Sequence, residues 1–135
     1  MRYLLDTATL SNSFTMPAVL PARILSLVNM DEEKGFCGVS LIELAIHYRR
    51  GRLLVADLAE FFAEALAENI ELLEITPEIA VATNDLPRSF PGDPFDRTIA
   101  ATARVLDLTL ITPDRNIRDS GFCRVEFYPF RPSRV

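Results

Sequence analysis

Short apolar runs alternate along this chain with segments whose apolar residues recur every three or four positions. Arg2 to Leu5 reads as a buried strand ending at Asp6-Thr7, followed by a helical stretch to about Phe14 that Met16-Pro17 breaks. From Pro21, the positions Ile24, Leu25, Leu27 and Val28 fit a helix that stops at Gly35, and Phe36 to Val39 forms a second strand. Ser40 is then expected to cap a helix carrying Leu41, Ile42, Leu44, Ala45 and Tyr48. It ends at Arg49, Arg50 and Gly51, the cations-then-glycine stop signal of a helix C-terminus. Val55 to Glu68 has Leu58, Phe61, Phe62, Ala65 and Leu66 on one helical face and Glu60, Glu64 and Glu68 on the other. Ile70 to Ile75 is a third strand. Thr76-Pro77 opens a helix to about Asp85, and Pro87 to Gly92 is a proline-rich loop. Asp93-Pro94 repeats the cap-plus-proline signal and opens a helix through Val105. Leu108 to Ile111 is a fourth strand, Thr112-Pro113 opens a short helix, and Val125 to Tyr128 is the last strand. Strands and helices that alternate throughout predict an α/β sandwich with a mostly parallel sheet, whose functional residues gather beyond the carboxyl ends of the strands.

Composition adds boundaries to that picture. The 135 residues are 49% hydrophobic and 24% charged, which suits one soluble domain, residues 1–135, with a single sizeable core. No apolar run approaches the roughly 18 residues of a membrane span, and Asp6 interrupts the first apolar run too early for a signal peptide. Cys37 and Cys123 lie far apart in apolar surroundings, as small buried thiols of a reducing cytoplasm do. The net charge of −5 disfavours a nucleic-acid partner at first sight, but carboxylates that hold metal ions present no bare charge. Thirteen of the fourteen cations are Arg, whose planar fork suits phosphate, and Arg49, Arg50 and Arg52 form a basic patch. Genome composition also produces Arg richness, so charge alone decides nothing.

Four acids occupy chemically suggestive places. Asp6 directly follows the first strand, Glu43 lies one turn into the helix after the second, and Asp114 comes just after the fourth, so these three belong at one sheet edge. Asp96 opens a separate helix and joins them only if that helix begins near the crevice, which the strand map leaves open. Each acid also has a structural use. Asp6 can cap a helix, Ser40-x-x-Glu43 matches a capping box, and Asp96 and Asp114 sit in first turns where the helix dipole favours negative charge. Capping does not, however, require several acids to share an edge. Bare carboxylates ~4 Å apart repel by roughly 4 kcal/mol at an effective dielectric of ~20, so a cluster calls for cations. Hard oxygen ligands select Mg²⁺ or Mn²⁺, ions that activate water and orient a phosphodiester, and such chemistry needs no histidine.

The motifs Tyr3-Leu4-Leu5-Asp6-Thr7, Val39-Ser40-Leu41-Ile42-Glu43-Leu44-Ala45-Ile46, Arg49-Arg50-Gly51-Arg52-Leu53, Asp93-Pro94-Phe95-Asp96-Arg97-Thr98-Ile99-Ala100-Ala101-Thr102-Ala103 and Leu110-Ile111-Thr112-Pro113-Asp114 occur in this order. In that order and spacing the chain resembles the PIN domains, specifically the VapC-type toxins of bacterial toxin–antitoxin pairs, over nearly its whole length. The resemblance implies a three-layer α/β/α sandwich with a mostly parallel central sheet and a Mg²⁺- or Mn²⁺-dependent endoribonuclease. It places Asp6, Glu43, Asp96 and Asp114 in one acidic metal site, and so brings in Asp96. It makes Thr7, Ser40 and Thr112 hydroxyls that orient the carboxylates. It also implies RNA as substrate, a VapB-type antitoxin as partner, and a homodimer. The chain departs from the family in having Ile42 where a tryptophan often precedes the second acid. Small or polar residues follow Asp6-Thr7, Pro113 precedes Asp114, and a tail from Phe130 to Val135 runs past the last strand.

The remaining polar residues divide between site and scaffold. Asp93 is expected to cap the helix that Pro94 begins. Arg97 either touches a phosphate, neutralises the acids, or forms a salt bridge along its helix. Asn116 is a weak candidate for a hydrogen bond near the site. His47, one turn beyond Glu43, lacks companions at ligand spacing and is expected to be incidental. Phe36, Phe61 and Phe62 belong to the core or an interface. Leu20 to Val28 and Val55 to Leu66 offer apolar faces for that core or, by resemblance, for the antitoxin. The competing functions are a non-catalytic PIN-like RNA-binding or protein-interaction module, whose mark would be a missing acid, and a phosphoacceptor domain. The latter wants adjacent acids after the first strand and a lysine after the last, and neither is present. A DNA-directed nuclease of the same fold would use the same metal chemistry.

Overall fold

The computed structural model describes residues 1–67 and 69–130. Five strands, β1 (Tyr3–Leu5), β2 (Lys34–Cys37), β3 (Ile70–Leu73), β4 (Thr109–Thr112) and β5 (Val125–Phe127), form one sheet in the order β3-β2-β1-β4-β5. Every adjacent pair is parallel, with Leu5 opposite Phe36 on one side and Ile111 on the other. Among the described residues, seven α-helices connect them: α1 (Thr7–Thr15), α2 (Ala22–Val28), α3 (Val39–Arg49), α4 (Leu58–Ala67), α5 (Pro77–Ala82), α6 (Pro94–Val105) and α7 (Arg115–Ser120). None is long and apolar enough to cross a membrane.

Side chains along a strand point alternately to opposite faces, and here that alternation builds two cores. Tyr3, Leu5, Phe36 and Ile111 pack with Leu10, Ile24, Leu44 and Phe61 beneath α1 to α4. Leu4, Cys37 and Leu110 pack with Ile79, Ile99, Ala100, Ala103 and Ile117 beneath α5 to α7. The result is the expected three-layer α/β/α sandwich. Small residues at Ala100, Ala101 and Ala103, all fully buried, let α6 lie close against the sheet.

Several boundaries differ from the sequence pattern, each for a local reason. Strand β2 starts at Lys34, so Gly35 lies inside a strand instead of ending the previous helix, which stops at Val28. The Lys34 ammonium is buried, donating to the carbonyls of Met30 (2.6 Å) and Glu32 (2.8 Å) and so holding the intervening turn. Helix α3 is entered through Gly38, so Ser40 is an interior residue and the expected capping box does not form. Asp57 accepts from the Glu60 amide at 2.9 Å, and its helix opens at Leu58, later than the apolar pattern beginning at Val55 suggested. Leu66, assigned to the buried face of that helix, is exposed, while Phe61 and Ala65 are buried as expected. Glu68 and the tail residues 131–135 lie outside the described residues. Strand β3 ends at Leu73, short of Ile75, and α7 is capped by Asp114, not by Thr112.

Because all strands run the same way, the residues after β1, β2 and β4 emerge at one edge of the sheet. Asp6, the N-terminus of α3 and Asp114 therefore meet there. The first turn of α6 reaches the same edge.

Candidate active site

Asp6 is the most constrained of the four acids. Its Oδ1 accepts from the Thr9 amide at 2.8 Å, which caps α1, and its Oδ2 accepts from the Thr112 hydroxyl. The Thr112 oxygen in turn accepts from the Asp114 amide at 3.0 Å, so one hydroxyl ties the carboxyl end of β1 to that of β4. Asp114 caps α7 by accepting from the Ile117 amide at 3.0 Å. The capping roles foreseen for Asp6 and Asp114 are thus real and coexist with their place at the shared edge. Glu43 and Asp96 are half-buried, and neither carboxylate has a hydrogen-bond partner among the described residues. Asp93 caps α6 through the Phe95 amide at 2.8 Å.

The electrostatics record how close these groups lie. Burial pushes the Asp96 carboxyl up to about 7, and the charges of Asp93, Asp114, Glu43 and Asp6 add to that in turn. Burial likewise raises Asp6 to about 6, opposed by its hydrogen bonds from Thr112 and Thr9 and reinforced by Glu43. Asp96 is therefore close enough to feel the charges of Asp6, Glu43 and Asp114, and Asp6 that of Glu43. The side chains are not drawn into a cage: among the described residues, no group of three or more His, Cys, Asp or Glu is spaced to hold a metal ion.

The surrounding polar residues sort differently from expectation. Thr7 and Ser40 share a buried hydrogen bond of 2.9 Å, joining the starts of α1 and α3. Arg97 does not turn toward the acids, nor does it form a salt bridge among the described residues. Its guanidinium donates to the backbone carbonyls of Pro91 (3.1 Å), Thr83 (3.2 Å) and Phe90 (3.1 Å) and lies over the Phe90 ring. Three carbonyls converge where the proline-rich loop folds back over the end of α5, and only the guanidinium fork can satisfy them together. With Arg97 so engaged, the acids have no protein cation in contact among the described residues. His47 sits in the last turn of α3, one turn beyond Glu43.

A buried network near Asp6 escaped the sequence reading. The Thr9 hydroxyl donates to the Ile111 carbonyl at 3.0 Å and accepts from the Tyr128 phenol at 2.8 Å. Tyr128 is fully buried, and its phenol is pushed up by that burial and by the nearby Asp6 charge. The small or polar residues Ala8, Thr9, Ser11, Asn12 and Ser13 were visible as a departure from the family. That signal pointed to buried partners without naming them.

Comparison with known proteins agrees with this architecture. The chain is 38% identical over 87 residues to Ribonuclease VapC22 of Mycobacterium tuberculosis H37Rv, a match spanning 64% of this chain and 67% of that protein. Among solved structures it is similar to VapBC2 of Rickettsia felis bound to a promoter DNA fragment, with a TM-score of 0.72 at 16% identity, covering 95% of this chain and 99% of that one. It is also similar to VapBC-5 of Mycobacterium tuberculosis, with a TM-score of 0.56 at 24% identity, covering 95% of this chain and 98% of that one. At such identities the structural likenesses speak for the fold. The model of the family described as PIN domain matches residues 3–123, and the chain belongs to that family.

Proposed function

We propose that this protein is a Mg²⁺- or Mn²⁺-dependent endoribonuclease, the toxin of a toxin–antitoxin pair, hydrolysing RNA phosphodiesters with Asp6, Glu43, Asp96 and Asp114. The observation that carries the reading is the gathering of these carboxylates at the carboxyl edge of the parallel sheet, where Asp6, Glu43 and Asp114 all act on Asp96 and no protein cation pairs with them among the described residues. An all-oxygen donor set of that charge fits a hard divalent ion. Mg²⁺ in particular keeps several waters and is commonly bound through one or two carboxylates plus substrate phosphates, so a closed protein cage is not required. When bound, the ion would supply an activated water and offset the charge that develops on the phosphate.

The chain's own residues do the positioning. Thr112 and the Thr9 amide fix both oxygens of Asp6. Thr112 also holds the Asp114 backbone, so a ligand drawn to either acid meets a rigid pair. Thr7 and Ser40 hold the start of α3, which carries Glu43, against α1. Asp96, with no partner of its own, is free to turn toward an incoming cation. The names of Ribonuclease VapC22 and the VapBC structures support an RNA substrate and a VapB-type antitoxin partner, and a homodimer fits the same class.

Purified, antitoxin-free protein incubated with total cellular RNA in Mg²⁺, Mn²⁺ or EDTA tests the proposal. Discrete products should appear with either metal, vanish in EDTA, and be lost in both Asp6→Asn and Asp96→Asn. Folded protein that cleaves no RNA in any metal, or cleavage that survives both substitutions, would overturn it.

A further inference from the structure

The arginine patch at the end of α3 takes no part in the site described so far. Arg49, Arg50 and Arg52 are all exposed, and none pairs with a carboxylate among the described residues. That sets them apart from Arg23, Arg118 and Arg124, each tied to an acid. It also sets them apart from Arg97 and Arg104, whose guanidiniums donate to backbone carbonyls. In a chain of net charge −5, three closely spaced unpaired cations are a local reversal of sign, suited to an anionic partner.

The turn that carries the patch is held from several sides. Gly51 takes the left-handed conformation at φ 73°, and its amide donates to the Tyr48 carbonyl at 3.1 Å. The Arg52 amide donates to the His47 carbonyl at 2.8 Å, and Leu53 is buried in the core beneath α1 to α4. The Tyr48 phenol donates to the Ala56 carbonyl at 3.4 Å across the same turn. The backbone beneath the three arginines is thus set before a ligand arrives, and only their side chains have to be ordered.

Helical geometry joins this patch to the acids. Glu43, His47 and Arg50 are spaced i, i+4 and i+7, so they form one stripe along α3. Glu43 stands in the first turns of the helix, at the acid edge, and a rise of ~1.5 Å per residue places Arg50 about 10 Å farther along. A stacked nucleic-acid strand carries a phosphate every ~3.4 Å of its axis, so about three phosphates cover that distance. His47 lies between the two, half-buried, and its imidazole has no hydrogen-bond partner among the described residues.

We infer that this stripe is a track for the substrate strand, on which Arg50, flanked by Arg49 and Arg52, holds phosphates about three nucleotides from the one beside Glu43. The inference rests on the ribonuclease reading above and adds to it a binding site remote from the bond that is cut. Guanidinium forks match phosphate oxygens, and contacts of this kind position a strand without reading its sequence. The track also answers how an acidic chain holds a polyanion: the strand is gripped where the sign of the surface reverses, beyond the carboxylates.

Binding and cleavage test it separately. Affinity for a fluorescein-labelled oligouridylate of about 12 nucleotides is read by anisotropy over a range of NaCl concentrations in EDTA, where the bare acids repel the strand in every variant alike. The slope of log K against log [NaCl] should shrink by about 0.7 for each phosphate contact removed. Arg50→Gln should therefore lose about 0.7, and the triple variant Arg49→Gln, Arg50→Gln, Arg52→Gln about 2, while Arg50→Lys keeps the parent slope because it keeps the charge. Tm should stay within about 2 °C of the parent, since all three side chains are on the surface. In cleavage of total RNA with Mg²⁺, the triple variant should show a KM raised about tenfold at unchanged kcat. Equal slopes in the parent and the triple variant would overturn the track and leave the patch to an acidic protein surface; cleavage that persists with those equal slopes keeps the ribonuclease reading standing. A fall in kcat at unchanged KM would overturn the track as well. A slope reduced as expected, in a protein that cleaves no RNA in any metal, would remove the ribonuclease reading and leave the phosphate site.

Discussion

Replacing Asp6 by asparagine should make the metal-free protein more stable at alkaline pH, although it removes a residue placed at the heart of the site. The Asp6 carboxyl is buried and raised from 3.8 to about 6, so the folded protein binds this proton more tightly than the unfolded chain does. Below pH ~4 the group is protonated in both states and contributes no penalty. As pH rises toward 6 the unfolded chain ionises first, and above 6 the folded state carries the full cost of a buried charge. A difference of about two pKa units corresponds to about 3 kcal/mol at 1.36 kcal/mol per unit. Asparagine escapes that cost and keeps one acceptor for the Thr9 amide. Its Nδ2 then faces the Thr112 oxygen, and the Thr112 proton loses its acceptor, a loss of about 1 kcal/mol. The expected balance is a gain of about 2 kcal/mol at pH 8 in EDTA, read as a rise in Tm of roughly 5–10 °C for a domain of this size. At pH 4 the variant should equal or fall below the parent. Added Mg²⁺ should stabilise the parent at pH 8 and leave Asp6→Asn nearly unmoved, because only ligands that bind the native state shift its stability. Urea and thermal denaturation at the two pH values, with and without metal, read all of this. An Asp6→Asn protein that is less stable than the parent by the same amount at pH 4 and pH 8 in EDTA would refute the reasoning, since the buried charge would then carry no penalty.

Other substitutions probe the supports of the site. Thr112→Val removes the hydroxyl shared by Asp6 and the Asp114 amide; it should cost about 1–3 kcal/mol in urea denaturation and weaken Mg²⁺ binding, measured by calorimetry, by about 10-fold or more. Arg97→Lys should recover less than half of the stability that Arg97→Ala loses, about 2–3 kcal/mol, because an ammonium cannot span the carbonyls of Thr83, Phe90 and Pro91 at once. Equal stability of the lysine variant and the parent would show that the fork geometry does not matter. Gly121 ends α7 in the left-handed region at φ 64°, so Gly121→Ala should cost about 1 kcal/mol in thermal denaturation even though the space around it is open.

Much of the architecture is already written in local pattern. The strand positions Leu4-Leu5 and Leu110-Ile111 alternate between two cores because successive side chains on a strand face opposite ways, a rule that needs no knowledge of the partners. Thr76-Pro77 and Asp93-Pro94 start helices where expected, because a cap and a proline act within a few residues. The shared edge of Asp6, Glu43 and Asp114 was legible as well, since a parallel sheet delivers the residues after β1, β2 and β4 to one side. Asp96 was not placed by that argument; the family resemblance supplied its position, and the first turn of α6 carries it to the crevice.

Contacts between distant segments decided the rest. Ser40 matched a capping box in sequence, but entry through Gly38 buries its hydroxyl against Thr7, 33 residues away. Arg97 faced plausible acids along the chain, yet its guanidinium goes to three carbonyls that exist as a group only once the proline-rich loop has folded over α5. Tyr128 read as the end of a strand, and its phenol finds Thr9 across 119 residues. Sequence period determines which way a side chain points, and capping chemistry determines where a helix begins. Which buried donor meets which acceptor depends on packing that brings remote segments within about 3 Å, and only the folded chain contains that information.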